Sequence, residues 1–193
     1  MCTPKTPGGS TRPVGAYCYV SCMMMTEADA VEILGWLGEG EIAVWLIGGW
    51  GVDALIGEQT RDHKDLDVIV RDDDVSRVSD VLHGHGFRLS RGDEGGFLLT
   101  DERDRVVDLH TVRFDDLGNG HFEGENRGPF EHPAAAFAAS AIIAGRRVAC
   151  LSAEAQMTNH AWGYTPGDTD FHDMRLLNAR LGTALLPPYD QEG

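Results

Sequence analysis

The sequence predicts an α+β (α/β) domain, a small mixed β-sheet flanked by helices, with further helices at the C-terminal end. Helix and strand patterns alternate along the first half of the chain, two strand patterns follow with no helix between them, and helical patterns close the sequence. A chain of 193 residues with 42% hydrophobic residues can also bury a core of its own.

The sequence divides into three predicted parts. Residues 1–25 contain Pro, Gly, Ser and Thr without sustained periodicity, which predicts a flexible leader or a start codon assigned too early. Residues 26–151 form the main domain, and residues 152–193 are predicted to be helical and to pack on that domain. The four cysteines form no CxxC pair and have no zinc-like spacing, so we expect neither a disulfide framework nor a structural zinc site.

The main domain is predicted to begin with a helix that Thr26 caps. Gly38 and Gly40 follow the apolar stripe of this helix and end it. Ala43–Ile47 is fully apolar, as expected of a buried central strand. It continues directly into Gly48-Gly49 and a helical pattern up to Ile56.

Further elements follow along the chain. Leu66–Val70 predicts a strand, and Val75–His83 a helix. Phe97–Thr100 and Arg105–Val112 are two strand patterns joined by a polar turn. Residues 115–133 are rich in Gly, Asn and Asp, so we predict a long loop there.

The last elements are a hairpin and two helices. Within Ile142–Leu151, Gly145-Arg146 is a plausible turn between short strands. Ser152 is a predicted N-cap for one helix, and Asp168–Leu181 is the final helix.

The formal net charge of −15 limits the partners that we expect. So acidic a chain repels phosphate backbones, which argues against nucleic acid as a partner. It would suit a cationic substrate or metal ions, although acidic surfaces also simply keep proteins soluble. The apolar runs do not suit a bilayer span and no signal peptide is present, so we expect a cytoplasmic protein without a membrane partner.

Asp65 and Asp67 are the first candidates for chemistry. Residues i and i+2 of a strand project from the same face, so these two carboxylates lie side by side. Two like charges at that distance are unfavourable unless a cation neutralises them, and Mg²⁺ prefers such oxygen ligands. An isolated Asp-x-Asp is, however, more often a solvated strand edge.

Gly48 and Gly49 strengthen this interpretation. Glycines between a strand and a helix let the backbone approach a phosphate, and the helix N-terminus offers free N–H groups. A tight strand-to-helix turn would explain them equally well if they stood alone. Together with the Asp-x-Asp strand, they predict a triphosphate site beside a metal site.

Asp108 is the third candidate acid. It lies within an apolar strand pattern, where a carboxylate without a partner is costly to bury. If this strand pairs beside the strand of Asp65 and Asp67, the three acids form one site, with Asp108 as general base towards an acceptor hydroxyl. The alternative is a salt-bridged structural aspartate.

These residues resemble a known family, the lincosamide nucleotidyltransferases of the DNA polymerase β-like nucleotidyltransferase superfamily. The aminoglycoside 2″-adenylyltransferases are similar too, and the resemblance runs from about Glu27 to Leu181. It is carried first by Gly48–Asp53, Gly57, Gln59, Arg61, His63, Asp65 and Asp67. It continues with Val107–His110, Ile143–Cys150, Ser152, Glu154–Gln156, His160, Gly163-Tyr164, Asp170 and Asp173.

The resemblance implies a nucleotidyltransferase fold, Mg²⁺ (two ions), and ATP or another nucleoside triphosphate as co-substrate. It implies that Asp65 and Asp67 bind the metal and that Asp108 is the base or a third metal ligand. Gly48 and Gly49 would hold the triphosphate.

For the remaining motif residues the roles stay open. Arg61 and His63 would contact phosphate, although His63 could equally be a structural partner of Asp65. His110 would line the acceptor pocket. His160 and Tyr164, about one helical turn apart, would face that pocket or serve only helix packing.

The implied reaction transfers a nucleoside monophosphate to a hydroxyl of a small antibiotic, with a lincosamide favoured. Thr111 replaces the proline usual in the lincosamide enzymes, and one extra residue stands near Trp162; both places would shape the acceptor pocket. The alternatives are an aminoglycoside or a biosynthetic intermediate as acceptor, a toxin that modifies tRNA or protein, or a non-catalytic nucleotide-binding module. The sequence leaves open whether the chain forms a homodimer.

Overall fold

The computed structural model describes residues 24–93, 96–123, 128–162 and 165–191. Most of the predicted leader therefore lies outside the described residues. Met25, the last residue of that predicted leader, is buried, and its N–H donates a hydrogen bond to the carbonyl of His63. The folded part thus includes at least one residue before the predicted boundary.

Five α-helices are described: α1 (Glu27–Glu39), α2 (Gly48–Ile56), α3 (Val75–Gly84), α4 (Ala153–Ala161) and α5 (Asp168–Leu181). Asp72–Asp74 and Ala134–Phe137 form short 3-10 helices. Nine strands are described: β1 (Val44–Leu46), β2 (Asp65–Arg71), β3 (Arg88–Asp93), β4 (Gly96–Thr100), β5 (Val106–Phe114), β6 (Gly120–Phe122), β7 (Phe130–His132), β8 (Ser140–Ile143) and β9 (Arg146–Ala149).

The predicted helix caps explain where two helices begin. The hydroxyl of Thr26 accepts a hydrogen bond from the N–H of Asp29. The carboxylate of Asp29 in turn accepts one from the N–H of Thr26, and the two bonds form a capping box. Ser152 accepts in the same way from the N–H of Ala155 at the start of α4.

The sheet is mixed, as predicted, with the strand order β1-β2-β5-β4-β3. Strands β2 and β5 run parallel, and the other neighbouring pairs are antiparallel. Strands β6 and β7 extend the sheet from the end of β5, whereas β8 and β9 form a separate hairpin. The parallel pair β2–β5 lies in the middle of the main sheet and carries all three candidate aspartates.

The apolar residues form three clusters around this sheet. One face, including Leu66, Val68, Val107 and Leu109, packs against α1 and α3. Smaller clusters lie around Ile69, Val112 and Phe122, and between α2, α4 and α5. Because side chains alternate along a strand, the residues between those of the first cluster project from the opposite face, where the aspartates lie.

Two parts of the secondary-structure prediction were wrong. Strand β3 was not predicted, because Leu89, the only large apolar side chain in it, is exposed at the sheet edge. The predicted loop 115–133 contains β6 and β7, held together by Phe122 and Phe130, whose rings stack with centroids 4.6 Å apart. Strands of three residues are too short to give a detectable alternation.

Within the ranges described, none of the helices is both long and apolar enough to cross a membrane.

Candidate active site

The register of β2 and β5 brings the three predicted acids together. Asp67 lies level with Asp108 in the parallel pair, and Asp65 lies level with Val106. Alternation directs Asp65, Asp67 and Asp108 to the same face of the sheet. The side chains of Asp67 and Asp108 remain 23% and 28% exposed, so solvent reaches them.

The negative charges of the three carboxylates repel one another. The pKa of Asp65 is raised from 3.8 to about 6, first by burial and then by the charges of Asp67 and Asp108. Arg61 and His63 act in the opposite direction but do not cancel the rise. A divalent cation would remove this repulsion, so the donor set fits the metal that the sequence resemblance implies.

His110 lies at the same place. Its Nε2 is 3.6 Å from Oδ1 of Asp108 and 3.8 Å from Oδ1 of Asp67. One possible ligand atom from each of Asp67, Asp108 and His110 lies within 4.8 Å of the other two. The side chain is 39% exposed, so it borders the open side of the acid cluster.

Gly48 forms the junction between β1 and α2, directly over Asp67. Its φ of +60° lies in the left-handed region, which favours glycine. A Cβ at this position would overlap the carboxylate of Asp67. The N–H of Ile47 also donates to the carbonyl of Asp67, which fixes the N-terminus of α2 against strand β2.

Gly49 lies equally close to the segment before β2. A Cβ there would overlap the side chains of Arg61 and His63. No side chain caps α2, so its first N–H groups are available to an anion. The two glycines therefore bring a helix N-terminus and the segment and strand that carry Arg61, His63 and Asp67 next to each other.

Arg61 is held by α5. Its Nε and Nη2 donate to the two carboxylate oxygens of Asp173 at 2.9 and 2.7 Å, and Nη1 donates to the carbonyl of Asp62. The hydrogen bonds to Asp173, which is almost fully buried, raise the pKa of Arg61. The guanidinium thus stays charged beside Gly49, and its phosphate contact stays a prediction.

His63 is not a partner of Asp65. Its Nε2 lies 2.5 Å from Oδ2 of Asp53, and both side chains are 3% exposed. The ring of Trp50 lies 4.3 Å from the imidazole ring, and Thr60 donates to the other oxygen of Asp53. The prediction that His63 is a structural partner of an aspartate holds for Asp53 and not for Asp65. A phosphate contact of His63 stays a prediction.

His160 lies in the last turn of α4 and pairs with Asp170 of α5, with Nδ1 2.9 Å from Oδ1. The hydroxyl of Tyr189 donates to its carbonyl. Tyr164 lies outside the described residues. Helix α4 ends at Ala161, and the predicted role of His160 and Tyr164 in one pocket stays a prediction.

The acidic turns at Asp101-Glu102 and Asp115-Asp116 are the sequence's candidates for contact with a cationic acceptor, and their aspartates have other contacts. Asp101 accepts hydrogen bonds from Arg105, and Asp115 accepts them from the backbone of its own loop at Leu117 and Asn119. The first turn precedes β5 and the second follows it, so they lie at opposite ends of a nine-residue strand. They do not form one acidic patch.

Sequence reasoning missed Asp53 and gave no role to Asp170 or Asp173. Asp53 had a detectable signal, since it is the only charged residue within the apolar helix Gly48–Ile56. Arg61 and Asp173 are 112 residues apart, and His160 and Asp170 lie on two different helices, so no spacing rule within one element could have found these pairs.

Comparisons with known proteins find related enzymes. Residues 29–177 match the family model described as aminoglycoside-2″-adenylyltransferase. A lincosamide resistance protein of Staphylococcus haemolyticus is 28% identical over 159 residues, which are 80% of this chain and 96% of the relative. A 2″-aminoglycoside nucleotidyltransferase of Klebsiella pneumoniae is 29% identical over 124 residues, 64% of this chain and 66% of the relative.

One solved structure supports the fold closely. The crystal structure of the lincosamide antibiotic adenylyltransferase LnuA with bound lincomycin superposes with a TM-score of 0.72 at 27% identity. The match covers 81% of this chain and 99% of that one. The predicted fold class and the predicted family resemblance are both confirmed.

Proposed function

The chain belongs to the aminoglycoside-2″-adenylyltransferase family, and from this premise we propose that it transfers AMP from ATP to a hydroxyl of a small antibiotic and releases pyrophosphate. The observation that carries the proposal is the alignment of Asp67 with Asp108 in the central parallel strands, beside the N-terminus of α2. Metal ligands, an anion site and a base are thereby available at one place.

The acids have different roles in this proposal. Asp65 and Asp67 hold Mg²⁺, and Asp108 is the base or a third ligand; bound ions would neutralise the carboxylates and the phosphate oxygens. Asp108 accepts the proton of the acceptor hydroxyl while the hydroxyl oxygen of the acceptor bonds to the α-phosphorus of ATP. The bond from that phosphorus to the bridging oxygen breaks, and pyrophosphate leaves.

The glycines and Arg61 bind the triphosphate. Gly48 and Gly49 let the backbone N–H groups of α2 approach phosphate oxygens, which the helix dipole also favours. Arg61 contributes a fixed positive charge because Asp173 restrains its guanidinium. His63 supports the segment between them from a buried position against Asp53.

A lincosamide is the favoured acceptor. The lincosamide resistance protein aligns over 96% of its length, whereas the aminoglycoside enzyme aligns over 66%. The net charge of −15 is the observation that favours an aminoglycoside as the second candidate, since such acceptors are cationic. His110, His160 and Tyr164 are proposed to border the acceptor pocket, and the proposed location is the cytoplasm.

Pyrophosphate release tests the proposal. The protein is incubated with Mg²⁺, each nucleoside triphosphate in turn, and a panel of lincosamides and aminoglycosides. We expect release with ATP and a lincosamide, and mass spectrometry should find the acceptor heavier by one AMP group. If no acceptor of either class supports release, an antibiotic is not the substrate.

A further inference from the structure

We propose that His110 is a metal ligand, and that Asp67, Asp108 and His110 together hold a divalent transition-metal ion such as Mn²⁺. The inference rests on the proposed function, because it concerns the same carboxylates. It adds metal binding to the position proposed for His110 at the border of the acceptor pocket.

The distances around His110 fit shared coordination better than direct hydrogen bonding. Its Nε2 lies 3.6 and 3.8 Å from the nearest oxygens of Asp108 and Asp67, beyond the usual hydrogen-bond length. Atoms bound at about 2.1 Å to one ion lie roughly 3 to 4 Å from each other. The imidazole therefore stands at the separation expected of a third ligand.

The backbone holds these three side chains in place. Asp108 and His110 are two residues apart on β5, and the parallel register sets Asp67 level with Asp108. The intervening Leu109 is fully buried against α1 and α3. This packing fixes the orientation of β5, and so the direction in which Asp108 and His110 project. Ligands on such rigid elements are already close to the geometry that binding requires.

The cluster is also open to an ion from solvent. The side chains of Asp67, Asp108 and His110 are 23%, 28% and 39% exposed. Three protein ligands on one side leave the other coordination positions for water or for substrate oxygens. Such a site suits a catalytic ion rather than a structural one, whose ligand set is usually complete.

The imidazole should change which ion is preferred. Mg²⁺ is bound through oxygen and retains several waters, whereas imidazole nitrogen suits transition metals. Affinity of a mixed nitrogen and oxygen site rises from Mn²⁺ towards Co²⁺ and Ni²⁺. His110 should therefore strengthen binding of Mn²⁺ and Co²⁺ much more than binding of Mg²⁺.

Pulsed electron paramagnetic resonance of Mn²⁺ bound to the full chain, without nucleotide, tests this assignment. A coordinated imidazole gives a ¹⁴N modulation on the Mn²⁺ signal. We expect the modulation in the unmodified protein and its loss in His110→Gln. The matched control is His121→Gln, since His121 also lies between two carboxylates, 3.2 Å from Asp115 and 3.5 Å from Glu131, but outside the site.

Binding affinities give a second readout. We expect His110→Gln to weaken Mn²⁺ binding at least about tenfold and Mg²⁺ binding less than about threefold. Circular dichroism checks that the variant is folded. The assignment is overturned if the unmodified protein lacks ¹⁴N modulation, if His110→Gln retains it, or if the variant raises only the KM for the acceptor.

The outcomes separate this inference from the proposed function. A His110-dependent nitrogen signal without pyrophosphate release would refute the proposed function and leave the metal assignment intact. Pyrophosphate release without any nitrogen signal would refute the assignment alone.

Discussion

Replacing Asp65 by Asn should stabilise the metal-free protein at neutral and alkaline pH. The pKa of Asp65 is raised to about 6 by burial and by Asp67 and Asp108. The folded state therefore disfavours the ionised carboxylate relative to the unfolded chain. Below about pH 4 the carboxyl of Asp65 is largely protonated in both the folded and the unfolded state, so the destabilisation is small there. It grows as the pH rises and is complete above about pH 6.

The expected size follows from the shift. A rise of the pKa from 3.8 to about 6 corresponds to roughly 3 kcal/mol in the free energy of unfolding. Asp65 is only partly buried, so water screens some of the repulsion and we expect about 1–2 kcal/mol. At pH 4.5, about a third of that difference should remain.

Urea unfolding in EDTA, at pH 7.5 and pH 4.5, measures this difference. Asp62→Asn is the matched control, because Asp62 is exposed and its side chain is not part of the acid cluster. Added Mg²⁺ should stabilise the unmodified protein more than Asp65→Asn. The reasoning fails if Asp65→Asn is less stable than the unmodified protein at pH 7.5, or if its advantage does not shrink at pH 4.5.

Three further substitutions test the site. In Gly48→Ala the added Cβ would overlap the Asp67 carboxylate. We therefore expect kcat to fall at least about tenfold, because the site is displaced, and the free energy of unfolding to fall by about 1–3 kcal/mol. A steady-state rate equal to that of the unmodified protein would argue against this close contact. Asp173→Asn should raise the KM for ATP severalfold with a smaller effect on kcat, since Arg61 loses its restraint, and an unchanged KM would remove Arg61 from the phosphate site. Asp108→Asn should leave ATP affinity by calorimetry within about threefold while abolishing turnover, because Asp65 and Asp67 still hold metal and only the base is lost; a collapse of affinity would make Asp108 a metal ligand first and a base second.

Strands β1 and β2 were predictable from the sequence because each lies in an apolar run. Ala43–Ile47 has no polar side chain and was predicted as a buried central strand, and Leu66–Val70, whose only polar residue is Asp67, was predicted as a second strand. Both are strands, although β1 lies at the edge of the main sheet rather than at its centre. Local alternation also put Asp65 and Asp67 on one face. The pairing of β2 with β5, in contrast, follows from tertiary packing, so Asp108 could be joined to the site only conditionally.

The supporting contacts of the site could not be predicted in the same way. Asp53 binds His63 across ten residues, and Asp173 binds Arg61 across 112. No periodicity connects either pair, and the contact between Arg61 and Asp173 depends on where α5 packs in the folded chain. The edge strand β3 was missed for a related reason, since solvent rather than core contacts one of its sides.

The most direct test of the account is pyrophosphate release by Asp67→Asn with Mg²⁺, ATP and a lincosamide. Asp67 lies level with Asp108, and its carboxylate lies against Gly48 at the start of α2. It therefore stands between the proposed base and the proposed triphosphate site. We expect release to fall to background while the variant stays folded and the control Asp62→Asn retains full activity. Turnover by Asp67→Asn at a rate near that of the unmodified protein would contradict the metal site and the function proposed from it.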